Sequence, residues 1–308
     1  CPTRCTEGSF IYREIVFHFM TLRLPRLVRL GAVSFLNARP LTAVLEARLD
    51  EGPFNLVYDI PSACSRALRD GSIDLGLVPS IEYALSPISY SIVPDVAIGC
   101  KGAVLTVRLF YRGDLRSVST VAVDTSSQTS VALLRVLLAE KYGITPKFEC
   151  VSPDLDEMLH RADAALLIGD PVLPLIDVDI NNAGSGDCAG KDSSFRHSLD
   201  LGFEWFDLTG LPFVFAFWVG RENAISPAQT RCLIDACQQG ESIIPEIACQ
   251  FQRERMGSAE LYERYLSDHV SFDLGKKELS GVREFYRLAQ EHGQIDCVPK
   301  LRFFPVPT

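Results

Sequence analysis

The chain has 308 residues, 47% of them hydrophobic and 22% charged, with a net charge of −9. That length exceeds what one hydrophobic core ordinarily serves, so two lobes are expected. The acidic balance argues against a nucleic-acid partner, which needs clustered basic charge, but leaves room for a local pocket that takes a small anion. No apolar run is long enough to cross a bilayer, so no membrane partner is expected.

The first 27 residues read as an extension and lead-in. The apolar stretch 10–19 carries Arg13 and Glu14 inside it, a poor secretory core, and Met20 follows it. A structural phrase then begins: a strand over 28–33, a polar loop over 34–39, and a helix opening at Pro40, a favoured first helical residue. A strand over 54–60 follows, then a helix from an expected N-cap at Ser62 to a stop at Gly71, then a strand over 73–78. The phrase recurs. Its second copy has a strand over 120–123, a polar loop over 124–129, a helix over 130–142 and a strand over 147–151. A helix over 154–161 and a strand over 164–168 complete it.

Continuous apolar runs such as Leu75-Gly76-Leu77-Val78 and Ala165-Leu166-Leu167-Ile168 suit parallel strands covered on both faces. Two such halves predict an α/β protein with two doubly wound lobes and a central ligand cleft beyond the carboxyl ends of the strands. A strand over 103–112 leads from one lobe to the other, and a strand over 213–220 returns. The polar stretch 181–198 reads as a surface insertion, and the chain from Ser226 onward reads as helical, with a last long helix over 276–292. The expected division is 28–103 plus 213–308 for lobe one and 104–212 for lobe two.

Ten cysteines occur without a CxxC pair, so a disulfide framework is not expected and most should act as small buried hydrophobes in a reducing cytoplasm. The five histidines show no paired spacing, and no metal is expected.

The two polar loops should face each other across the cleft. Ser126, Ser127, Gln128, Thr129 and Ser130 open a helix directly after a strand. The free N–H groups and dipole there suit a carboxylate or phosphate, and plain N-capping by Ser127 or Thr129 is the other reading. In the first loop, Asn37 either orients a ligand or bonds its own backbone, and Arg39 either clamps a carboxylate or is a surface charge. Phe35 in the same loop and Ser80 at the third strand's end join the candidate substrate-binding set. Glu82 is a possible base or a first-turn carboxylate stabilising its helix. Asp170 either lines the cleft or caps a turn. No nucleophile elbow, Walker loop or dinucleotide fingerprint is present, and the residues by themselves do not choose between binding and catalysis.

Four segments in order resemble the chorismate dehydratase family of the futalosine route to menaquinone. They are Val33-Ser34-Phe35-Leu36-Asn37-Ala38-Arg39-Pro40-Leu41, Ser127-Gln128-Thr129-Ser130-Val131, Leu167-Ile168-Gly169-Asp170 and Asp207-Leu208-Thr209-Gly210-Leu211-Pro212-Phe213-Val214-Phe215-Ala216. The resemblance spans roughly residues 27–305 and implies a type II periplasmic-binding-protein-like fold with a mixed sheet in each lobe. It implies loss of water from chorismate, a small dicarboxylate, to give 3-[(1-carboxyvinyl)oxy]benzoate, with no cofactor, in the cytoplasm. It also implies Asn37 and Thr106 as the active-site pair. Thr106 stands where the family usually has serine, and Gln128 stands where it often has arginine. Two alternatives are a solute-binding protein of a transporter and the sister dihydroxynaphthoate synthase, whose Cys-Pro-Asn type motif is absent at the first loop. The oligomeric state is not legible.

Overall fold

The computed structural model describes residues 27–49, 52–124, 128–176, 197–255 and 257–307. Ser126, Ser127 and most of the polar stretch 181–198 lie outside these residues, as does nearly all of the N-terminal extension.

The chain begins with β1 (Val28–Val33), α1 (Arg39–Glu46), β2 (Phe54–Asp59), α2 (Pro61–Asp70) and β3 (Leu75–Pro79). β1 lies between β2 and β3 and pairs with both in parallel. Its polar exception, Arg29, is neutralised by Asp74, with Nη2 2.8 Å from Oδ1. After α3 (Ser80–Leu85) and β4 (Tyr90–Cys100) the chain crosses to a second sheet. There β5 (Val107–Tyr111), β6 (Thr120–Val123), α4 (Gln128–Tyr142), β7 (Lys147–Cys150), α5 (Leu155–Arg161) and β8 (Ala164–Ile168) follow. β6 lies between β7 and β8, parallel to both, so the second copy repeats the first. β5 is antiparallel to β8 and to β9 (His197–Asp200), which runs directly into α6 (Leu201–Thr209).

β10 (Phe213–Arg221) returns to the first sheet and inserts antiparallel between β3 and β4. Then come α7 (Pro227–Ser242), α8 (Ile244–Glu254), α9 (Ala259–Arg264), β11 (Ser271–Leu274) and α10 (Lys276–Glu291). The result is a six-stranded sheet, β11-β4-β10-β3-β1-β2, and a five-stranded sheet, β7-β6-β8-β5-β9. Both are mixed, as expected. Two helical glycines set the packing of the first lobe. A Cβ at Gly240 on α7 would fall on the carbonyl oxygen of Pro40, and one at Gly281 on α10 would fall on that of Pro212.

Several expectations are corrected. Ser62 is not an N-cap: α2 starts at Pro61 after an Ile60 cap position with no side-chain cap, because the fixed φ of proline already suits the first turn. The crossing strand is limited to β5, and 103–106 is irregular. β4 was not among the expected elements, and Pro94 and Asp95 stand in its middle. Asp95 has φ 66, and the pairing of β4 with β10 shifts register there. β11 interrupts a region expected to be wholly helical, and its four residues are too few to show an alternation. Of the described cysteines, Cys64, Cys100 and Cys237 are buried, but Cys150, Cys232, Cys249 and Cys297 are exposed. No described helix is long and apolar enough to cross a membrane.

Candidate active site

The two copies bring their first loops together beyond the strand ends, and a cavity of about 80 Å³ lies between them. Phe35 and Asn37 enter it from the 3₁₀ turn Leu36–Ala38 after β1, and Thr129 and Ser130 from the first turn of α4. Thr106 enters from the crossing segment and Gly169 from the end of β8. Apolar walls come from Val33, Leu77, Ile98, Val104 and Phe215. An apolar pocket with a few placed polar groups is the usual form of a small-molecule site.

Thr106 is held by unusual backbone. Its N–H bonds back to the Val104 carbonyl at 2.8 Å, with Leu105 between them at φ 65. Such a γ-turn is strained for a branched side chain. Asp200 holds it, accepting from Val104 N at 3.0 Å and from Leu105 N at 2.7 Å. The Thr106 carbonyl in turn accepts from Gly169 N at 2.7 Å. The Thr106 hydroxyl lies 2.8 Å from the hydroxyl of Tyr265. Asn37 also interacts with the Tyr265 hydroxyl, while its own Oδ1 is buried without a partner. Gln128 has a buried, unpartnered Oε1 as well. Buried polar atoms are rarely left unpaired, so each calls for an explanation.

The cleft is tied across by side chains. Asp170 Oδ1 accepts from Leu36 N at 2.9 Å, and Thr129 Oγ1 accepts from Ile81 N at 3.1 Å. Ser80 is fully buried behind the cavity, donating to the Val214 carbonyl at 2.8 Å and lying 3.5 Å from Thr129 Oγ1. Burial pushes the Asp170 carboxyl up to about 6, against the downward pull of the Leu36 N–H and of Arg255 and Arg39. Gly169 has φ 70 and lies against the Phe35 ring, where an added Cβ would sit 3.2 Å from it.

Five described candidates are not among the lining residues: Ser80, Gln128, Asp170, Arg39 and Glu82. Arg39 is turned toward carboxylates, with Nη2 3.1 Å from Glu254 and Nη1 4.0 Å from Glu46, and it does not line the cavity. Glu82 is buried 3.3 Å from Arg69, in the last turn of α2, and is also absent from the lining. Burial pushes its carboxyl up and Arg69 opposes that. No Lys or Arg is among the described lining residues, so the anion preference expected of this cleft rests on hydroxyls, amides and the opening of α4. Tyr265 and Asp200 escaped the sequence reading. Tyr265 begins a π-helical turn, Tyr265–His269, in a stretch whose pattern looks simply helical, and no motif marks it.

A family described as menaquinone biosynthesis matches residues 28–291. The chorismate dehydratase of Thermus thermophilus is 31% identical over 258 residues, covering 83% of this chain and 93% of its own. Among solved structures, a protein from Archaeoglobus fulgidus superposes with a TM-score of 0.66 at 16% identity, covering 87% of this chain and 98% of its own. The periplasmic aliphatic sulphonate binding protein SsuA from Escherichia coli gives 0.60 at 17% identity, covering 90% and 94%. At those identities the structural likeness speaks for the fold, which is periplasmic-binding-protein-like. With its first loop, its paired sheets and the length of the match considered together, the chain belongs to the menaquinone biosynthesis family.

Proposed function

We propose that this chain is a hydro-lyase that removes water from chorismate to give 3-[(1-carboxyvinyl)oxy]benzoate, acting in the cytoplasm. The family match and the chorismate dehydratase relative support the reaction. The observation that carries it to particular residues is that Asn37, whose amide oxygen is unpartnered, and Thr106 line one cavity. The lobes are taken as 28–103 with 213–308, and 104–212, in keeping with the strand membership of the two sheets.

The elimination takes a proton from the ring carbon that bears the enolpyruvyl ether and expels hydroxide from the neighbouring carbon. The two together make water, and aromatisation of the ring drives the step. The enzyme's tasks are orientation and exclusion of water. A neutral amide is a weak base, so Asn37 orients the ring and a carboxylate takes the proton. Glu82 is engaged with Arg69, which favours the substrate's own enolpyruvyl carboxylate as the acceptor. The apolar walls and the lobe-to-lobe bonds of Asp170 and Thr129 support a closed, dry site.

The test is incubation of the purified chain with chorismate, read by ultraviolet absorbance and by mass for a product lighter by one water. The Asn37→Ala variant is expected to lose about 100-fold in turnover. Chorismate bound but unchanged would transfer the protein to the solute-binding class. Turnover of a cyclic futalosine derivative instead would transfer it to the sister synthase.

A further inference from the structure

The fully buried hydroxyl of Tyr265 lies behind the cavity, 2.8 Å from the hydroxyl of Thr106, and only Thr106 of the pair lines the cavity. Tyr265 is placed there by an irregular turn. Val270 N bonds to the Tyr265 carbonyl five residues back at 3.2 Å, and His269 Nδ1 lies 3.1 Å from the Ala103 carbonyl. The π-helical turn thus grips the crossing segment at both ends, through His269 at Ala103 and through Tyr265 at Thr106. Irregular turns of this kind recur at functional sites.

The direction of the Tyr265–Thr106 bond follows from a proton count. Burial pushes the Tyr265 hydroxyl well above its ordinary pKa, so it keeps its proton. That proton needs an acceptor, since a buried unmade hydrogen bond is costly. Asn37 donates to the Tyr265 oxygen, and its own Oδ1 takes no hydrogen bond, so it is not the acceptor. The acceptor is therefore Thr106 Oγ1. With its oxygen occupied from behind, the Thr106 hydroxyl has its own proton left to donate, and the cavity is what it faces.

We propose that Tyr265 is a positioning residue for the dehydration: by donating to Thr106 Oγ1 it commits the Thr106 proton to a substrate oxygen, the departing hydroxyl. This rests on the proposed reaction and adds to it a directed hydrogen bond to the leaving group. No net proton passes to the protein. The ring proton goes to the substrate carboxylate, the carbon–oxygen bond breaks with its electron pair on the departing oxygen, and Thr106 steadies the charge that develops there. Such a bond is strongest when the oxygen is most negative, so it acts on the rate more than on binding.

The experiment compares the purified full chain with Tyr265→Phe, Thr106→Val, Thr106→Ser and the Tyr265→Phe/Thr106→Val double variant. Initial rates with chorismate are measured for each. Tyr265→Phe keeps the ring and removes only the oxygen, and kcat is expected to fall about tenfold with KM changed less than about threefold. Thr106→Val is expected to fall at least as far, and Thr106→Ser, which keeps the hydroxyl, to recover most of what Thr106→Val loses. The double variant should be no slower than Thr106→Val alone, because Tyr265 acts through that hydroxyl. A purely structural tyrosine would instead lower kcat by the same factor in either background. Parental kcat in Tyr265→Phe, a loss confined to KM, or independent multiplying losses in the double variant would each overturn the inference while leaving the proposed reaction standing. If Tyr265→Phe does not fold, parental kcat in Thr106→Val overturns it, and loss in Thr106→Val with recovery in Thr106→Ser supports it. A wild-type chain that forms no dehydrated product overturns both.

Discussion

Asp170→Asn tests whether the cleft holds a charge that folding disfavours. The Asp170 carboxylate bridges the lobes through its bond to Leu36 N, and its pKa is raised from 3.8 to about 6 by burial. A rise of that size converts to ~3 kcal/mol. The sign follows from proton binding. Between 3.8 and about 6 the folded state holds more protons on this group than the unfolded chain does. Stability from this group therefore falls as pH rises through that window, and the full penalty persists at neutral pH. Asparagine has the same shape, keeps an oxygen for the Leu36 N–H and carries no charge. The variant is expected to be more stable than the parent by about 2–3 kcal/mol near neutral pH, with the gain vanishing toward about pH 4. Urea unfolding of both proteins across that range, plotted as a difference, removes the contribution of every other carboxylate. A difference flat with pH, or a neutral-pH loss, would show that Arg255 and Arg39 compensate the charge fully and would refute the argument.

Glu82→Gln should leave turnover within about twofold of the parent, since the carboxylate sits with Arg69 and not in the cavity. A fall to the level of Asn37→Ala would restore Glu82 as the base. Gly240→Ala adds roughly 1 kcal/mol of helix propensity to α7, yet its methyl meets the Pro40 carbonyl. A net loss of ~3 kcal/mol is expected by urea unfolding, and unchanged stability would contradict the close contact of α1 with α7.

The repeated phrase was readable because parallel strands covered on both faces are written as uninterrupted apolar runs, as in β3 and β8. Of the antiparallel members, β5 and β10 read as strands, while β4, β9 and β11 do not. β10 reads as a strand, but its place between β3 and β4 depends on residues more than a hundred positions earlier. Within the site, Asn37 sits in the 3₁₀ turn after β1 and Thr129 and Ser130 in the first turn of the helix after β6, where strand-end logic finds them. Thr106 entered only through resemblance, because its position depends on a γ-turn held by Asp200, nearly a hundred residues later. Arg39 shows the opposite failure. Its chemistry suits a carboxylate ligand, yet Glu254 and Glu46 supply carboxylates from the protein itself.

The return of β10 to the middle of the first sheet has a consequence for vectorial synthesis. Every strand of the five-stranded sheet lies between residues 107 and 200, so that sheet has all its members before the first sheet has its own. Until residue 221 has emerged from the ribosome, β3 and β4 lack the neighbour that joins them. The later half of the cleft is therefore able to assemble on the nascent chain ahead of the earlier half, which waits with one edge of β3 and both edges of β4 open. Unpaired edges of that kind are where a chain truncated before β10 would begin to aggregate.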